Sequence, residues 1–536
     1  MFTKLLKVLL WLVLPGWAVA QADFPYTISL EPIAIPGMVG LHSYAHAQHD
    51  GKWLLLGGRL DGIHARQPFS AFPASQNNDA IRVVDPAAGT TWSAPLTTLP
   101  TGLKEQLQST NMQFFQDGDH LFIIGGYAYS PSQGDHITFP NLTVVDVPGL
   151  VGAVVSGTPI AGLFQQLTDE KFAVTGGYFG KIGDELYLVG GHRFDGRYNP
   201  MGHATYVQTY TDAIRKFRLE NNGGTWAMVD YTVISDPVNL HRRDYNLLPQ
   251  LYPDGSFGYT IFSGVFQLNQ DLPFLYPVDI TASGHAPVIG FNQYLCNYHS
   301  AHAPLFDADA NAMHNLFFGG ISQYYFAGAN MVQDDDVPFV KTISRVSRSA
   351  NGNLTETHLP LEMPGYLGAS AELILNPALP ESAPGIVNLS AINADSFLLG
   401  HIVGGIESSS LNPFSFNNTD QTSASATVYR VYLKKTGLNP TGELPLPGYH
   451  RFAISLAPNP AATGVFQIKT EAPEAGTIEV FMVDTTGRLL LNTSREGLKL
   501  GKNTLEVALK NPPKGAVIVT AVLNGKFAAT ATLIFE

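Results

Sequence analysis

The chain has 536 residues and a formal net charge of −13, with 14 % charged and 45 % apolar side chains, 52 Gly and 36 Pro. This composition excludes a disordered acidic polymer and a coiled coil, and the acidic balance argues against a nucleic-acid partner, which would need a basic face. The single cysteine, Cys296, closes no intrachain disulfide and supplies no Cys-rich zinc site.

The first element reads as an export signal. Lys4 and Lys7 precede an apolar run at 8–14, and Ala18-Val19-Ala20 forms a small-x-small cleavage site, so residues 1–20 are expected to be removed. The run is too short to span a bilayer, and no later stretch is long and apolar enough to do so. The expected route is through the Sec machinery and the periplasm to the outer cell surface or the medium.

Repetition dominates the chain beyond the signal. Apolar runs close on a Gly pair in LLLGG at 54–58, FIIGG at 122–126, YLVGG at 187–191, LFFGG at 316–320 and HIVGG at 401–405, with a degenerate TIFSG at 260–264. Polar turns such as Asp50-Gly51-Lys52, Asp117-Gly118-Asp119 and Asp254-Gly255 stand before these runs, so each unit is predicted to begin as a β-hairpin. A second strand pair comes next in the first unit around Ile81 and Trp92, and in the third around Ile214 and Trp226. Four strands repeated six times predict an all-β fold, a six-bladed β-propeller over 21–436. Tyr26–Ile33, with Ile28, Leu30 and Ile33 alternating, is expected to close the ring beside 428–433. The Gly pair with a downstream Trp resembles the kelch repeat, although the Trp is clear in only two units.

Residues 437–449, GLNPTGELPLPGY, read as a Pro- and Gly-rich linker. Beyond it, 450–536 hold about seven alternating strands with turns at Thr486-Gly487 and Asn524-Gly525, the pattern of a small β-sandwich. The order of Pro458-Asn459-Pro460, Gly464, Asp484, Gly487-Arg488, Lys514-Gly515 and Asn524-Gly525-Lys526 closely resembles the C-terminal sorting domain of the type IX secretion system of the Bacteroidetes. That resemblance implies the secretion translocon as a partner, and removal of the domain after export. The Ala516-Val517 pair departs from the aromatic usual in that family.

In a propeller the innermost strands line a central channel whose mouth is the usual ligand site. The strands before the hairpin turns bring His42, Tyr44, His46, Asn111, Gln113, Tyr178, the run His241 to Asp244, His299, His302, Ser370 and Glu372 towards that axis. Of these, His46, Asn111, Tyr178, Arg243 and His302 are the candidate ligand-binding residues, Arg243 because its fork matches a carboxylate. The bland alternative is that these groups satisfy one another and ordered water.

No bound transition metal is expected, while calcium is possible. His42 and His46, four apart on a strand, share a face, while His299 and His302 do not. Cys296 between Tyr294 and Tyr298 raises a copper oxidase centre of the galactose-oxidase type, but adjacent tyrosines do not reproduce a cross-link between distant segments. Asp334-Asp335-Asp336 and Asp307-Ala308-Asp309 offer calcium loops, the second read more simply as a turn. No G-x-S-x-G, H-E-x-x-H, P-loop or G-x-G-x-x-G sequence is present. The expected function is therefore a secreted or surface-borne monomeric scaffold that binds a glycan, peptide or protein. The alternative is a carbohydrate-active enzyme of the mutarotase, lyase or oxidase type, and a third reading is an adhesion protein using Tyr324-Tyr325-Phe326 as an exposed patch.

Overall fold

Each apolar run before a Gly pair forms the second strand of an antiparallel unit in the computed structural model, which describes residues 23–201 and 205–536; the expected export signal lies outside them. The first three units are Ala45–His49, Lys52–Leu56, Ala80–Asp85 and Thr90–Pro95; Gln113–Asp117, His120–Ile124, Asn141–Asp146 and Phe164–Thr168; and Tyr178–Ile182, Glu185–Val189, Ala213–Asn222 and Thr225–Ser235. The fourth is Asn246–Leu251, Phe257–Phe262, Val278–Thr281 and Gly284–Pro287, and the fifth is built on Ala301–Asp307, Ala312–Ile321, Phe339–Arg348 and Leu354–Glu362. In the sixth, Glu372–Leu375, Ser396–Val403 and Val428–Lys435 are completed by the N-terminal Tyr26–Ile33. There Ile28 pairs with Leu433 and Ile33 with Val428, as the alternation of that first strand predicts.

The second strands are apolar on both faces because each is covered on both sides by other units; Trp53, Leu54, Leu55 and Leu56 are all buried. The Gly pairs have two tasks. Both glycines take left-handed φ, and the first lies where a Cβ would strike the neighbouring unit: at Gly125 it would sit 1.8 Å from the Val174 carbonyl oxygen. In the degenerate fourth copy Ser263 adopts φ 56° and ties its hydroxyl to the Phe274 carbonyl at 2.7 Å.

The residues that lead into the first strands join the six units. Backbone N–H groups donate head to tail from Asn111 to Ser43, Gly176 to Asn111, Asp244 to Gly176, His299 to Asp244, Ser370 to His299, and Ser43 back to Ser370, over 2.8–3.2 Å. The circle returns to its start, and its axis carries the candidate site.

Two helices, Thr101–Leu107 and Val147–Ser156, stand where the sequence reading placed no element. In the second, the Asp146 carboxylate accepts from the Gly149 N–H at 3.1 Å and Gly157 ends the helix at φ 69°, burying Leu150, Val151 and Val154 over the first unit.

Residues 452–535 have a core of their own, between Ile454–Ala457, Val465–Ala472 and Gly501–Ala508 on one side and a four-stranded sheet of Leu489–Leu498, Gly476–Asp484, Gly515–Leu523 and Phe527–Phe535 on the other. Strict alternation along Val465–Ala472 buries Phe466 and Ile468. This part is docked on the fourth unit, where Phe481, Val483 and Val522 meet Val238, Phe274 and Tyr276. The 437–449 segment runs along the fifth unit: Leu444–Pro445 pairs with Leu354–Glu362, and Glu443 grips fully buried Arg345 at 2.7 and 2.9 Å.

Candidate ligand site beside the hydrogen-bonded circle

On one side of the circle lies a cavity of about 160 Å³, continuous through His64, Tyr198, Arg243 and Tyr298 with a second of about 410 Å³. The residue after each Gly pair faces it: Arg59, Tyr127, His192, Ile321 and Ile406 all line the first cavity. Backbone bridges fix them there, pairing His42 with Arg59, Thr110 with Tyr127 and Thr175 with His192.

Two arginines supply charge and differ in availability. Arg59 is committed, donating from Nε and Nη2 to the Asp61 carboxylate at 2.8 and 2.6 Å and from Nη1 to Asn77 at 2.9 Å. Arg243 donates from Nε to the Tyr210 hydroxyl at 3.2 Å and from Nη1 to Asp244, and lies 4.3 Å over the Phe266 ring. Its Nη2 has no hydrogen-bond partner among the described residues. Burial works against the Arg243 charge, but Asp244 and the phenols of Tyr210 and Tyr298 more than offset it, so the guanidinium stays protonated. The Asn111 amide and the Tyr298 hydroxyl also line this cavity, with no hydrogen-bond partner among the described residues.

The walls are aromatic. His64 stacks on Phe72 at 4.7 Å and meets Tyr198 edge-on at 4.6 Å, while Phe194 stacks on Tyr206 at 4.5 Å. Burial pushes His42 and His64 down to about 4 and His192 well below the ordinary range, so these imidazoles are neutral at pH 7. The Nε2 of His42, 4.0 Å from the Asp61 carboxylate, and the Nδ1 of His64 are buried with no hydrogen-bond partner among the described residues.

Of the five ligand-binding candidates from sequence, Arg243 and Asn111 come together here, beside His42, Asp244, His299 and Ser370 from the same leading segments. His46, Tyr178 and His302 lie beyond the circle, around the opposite end. His42 and His46 do not share a face, because Ser43 between them takes φ 53° and breaks the alternation. His299 precedes its strand, so strand alternation does not part it from His302, and the two rings stand 6.1 Å apart. Arg242, next to Arg243, is structural: fully buried over Phe274, it donates to the carbonyls of Asn239, Ser263 and Tyr276. Four lining residues, Arg59, His64, His192 and Tyr198, are not among the candidates that sequence patterning picks out. Position after the Gly pair would have found Arg59 and His192, but no periodicity marks His64 or Tyr198, which stand on irregular loops.

The remaining sequence candidates are accounted for locally. Cys296 is fully buried, with the Thr342 carbonyl at 3.7 Å and the Ser344 hydroxyl at 3.6 Å as its polar contacts, and burial pushes the thiol up to about 12. Asp307 caps its own turn through the N–H groups of Asp309 and Ala310, and Asp335 accepts from the Gln323 and Gln333 amides. Tyr324 is buried and Phe326 stacks on His358 at 4.3 Å, so this run packs on its own unit instead of forming an exposed patch. In the C-terminal part Asn459 bonds Thr532 and Ile534, Asp484 organises a turn through Thr486 and Arg488, Gly464 lies against the Leu509 carbonyl, and Gly487 and Gly515 take left-handed φ. Pro458 and Pro460 flank Asn459 at the end of Ile454–Ala457.

No family model and no curated protein sequence matches the chain. Among solved structures, one titled "Structure of YjhT" is similar at 10% identity and a TM-score of 0.40, covering 75% of this chain and 99% of that one.

Proposed function

We propose that the six units form a closed, six-bladed, kelch-like propeller that acts outside the cell as a binding scaffold, with the Arg243 end of its channel taking a carboxylate-bearing, hydroxyl-rich ligand such as an acidic glycan. The circle of backbone hydrogen bonds and the pairing of Tyr26–Ile33 with the last unit support closure. The ligand reading rests on one observation: Arg243 Nη2 is a charged donor left open in a cavity where Asn111 and Tyr298 also present free polar groups. Aromatic faces beside it suit the apolar face of a pyranose ring. Imidazoles held near 4 are poor general bases at neutral pH, which favours binding over turnover. Export through residues 1–20, a propeller over 21–436 and a type IX sorting domain at 450–536 complete the proposal, carried by the sequence motifs.

The test is a binding screen of the full chain against paired acidic and neutral glycans. Saturable binding of hexuronate-containing glycans is expected, weakened about tenfold or more by Arg243→Ala, since a hydrogen bond to a charged group contributes about 1.5–3 kcal/mol, and weakened also by Asn111→Ala. Folded protein that binds no glycan would sink this reading. Consumption of a bound glycan would replace the scaffold with an enzyme.

A further inference from the structure

The channel has a second end. Beyond the circle, on the side where first and second strands meet in hairpins, a cavity of about 620 Å³ is lined by Phe114, Tyr178, Phe257, Tyr259 and Leu375, and its floor is Glu372. It shares no residue with the cavity at Arg243; a narrow waist containing Asn111, His299 and Glu372 lies between them.

Glu372 opens the first strand of the sixth unit and is only 7 % exposed. No lysine or arginine pairs with it. Its nearest nitrogens are His299 Nε2 at 3.3 Å and His46 Nε2 at 3.8 Å, whereas the one lysine at this end, Lys181, is held by Asp117 at 2.6 Å on the rim. A desolvated carboxylate needs a positive charge near it. Burial keeps His46 below the ordinary histidine range and His302 down at about 4, so these two rings do not provide it. His299 Nε2 faces the Glu372 carboxylate, while His46 Nδ1 and the Tyr178 hydroxyl have no hydrogen-bond partner among the described residues. Among the described residues no three His, Cys, Asp or Glu side chains converge closely enough to hold a metal ion. Imidazoles, with His299 the nearest, are thus the groups beside this carboxylate, and a desolvated carboxylate facing an aromatic cavity suits an organic cation with an apolar body.

We propose that this end of the channel binds a protonated primary amine carried on an apolar or aromatic group, its ammonium seated on Glu372 within reach of His46, His299 and the Tyr178 hydroxyl. The body of the ligand lies against Phe114 and Phe257. Nothing in this assignment depends on the acidic ligand at the other end.

Calorimetric titration of the full chain with 2-phenylethylamine and its neutral counterpart 2-phenylethanol at pH 7 tests it. Saturable one-to-one binding of the amine is expected, at least about tenfold tighter than the alcohol, the factor that corresponds to about 1.4 kcal/mol. Glu372→Gln removes that preference, and Tyr178→Phe weakens the amine by a few-fold should the first variant fail to fold. Equal affinity for amine and alcohol, or no amine binding by folded wild-type protein, would overturn the proposal. Loss of glycan binding in Arg243→Ala alongside unchanged amine binding separates failure at one end from failure at the other.

Discussion

His42, His314 and His401 show how burial fixes charge at single residues. All three are at most 8 % exposed, and burial pushes His42 and His401 down to about 4 and His314 to about 3. In the unfolded chain each titrates near 6.5, so between about 4 and 6.5 the unfolded state holds more protons and stability rises with pH. Urea unfolding at pH 6.5, 5.5 and 4.5 is expected to show a loss of about 1.4 kcal/mol per pH unit for each such histidine. His314→Asn, which keeps a hydrogen-bonding group beside the Ser347 hydroxyl, is expected to make the profile shallower by one such increment; a profile unchanged by the substitution would contradict the assignment. At this scale the sequence was half informative. Arg243 and Asn111 were legible because they lead directly into predicted strands, whereas His64 reaches the cavity from a loop whose path depends on contacts with Tyr198 and Phe414 far along the chain.

Among the elements, the N-terminal strand has the clearest consequence. Tyr26–Ile33 covers the edge of Val428–Lys435, and Phe24 just before it is buried against the Arg345 guanidinium, with its ring 5.0 Å from that of His314. Glu31 and Pro32 then stand on the outermost edge, where a charge and a residue lacking an N–H discourage further pairing. Removing residues 23–33 is expected to destabilise the chain by more than about 3 kcal/mol, since at least two aromatic side chains lose their burial, and to give oligomers through the bared edge, seen by light scattering. A truncated chain that stays monomeric with unchanged thermal unfolding would show that the strand closes nothing. Strands of this kind were legible because alternation and hairpin turns are local. The two helices were not, because Leu150, Val151 and Val154 are short apolar stretches whose helical period only becomes meaningful against the first unit.

In the whole molecule, two features escape any local reading. Residues 437–449 have a linker's composition, yet Glu443 neutralises an arginine buried in the fifth unit, so this stretch belongs to the packing of that unit. The C-terminal part rests on the fourth unit through Phe481 and Val522, with Asn269 and Asn492 exchanging side-chain hydrogen bonds at 2.8 and 2.9 Å. Most consequential is the circle of backbone hydrogen bonds, which separates a cavity with an open guanidinium from a cavity whose buried carboxylate lies beside His299 and His46. The most direct measurement is a two-ligand titration of the full chain, adding an oligogalacturonate to protein saturated with 2-phenylethylamine and then the reverse. Independent one-to-one binding of each is predicted, with Arg243→Ala removing only the acid and Glu372→Gln only the amine. Competition between the two ligands, or loss of both in either variant, would contradict a channel with two separate sites.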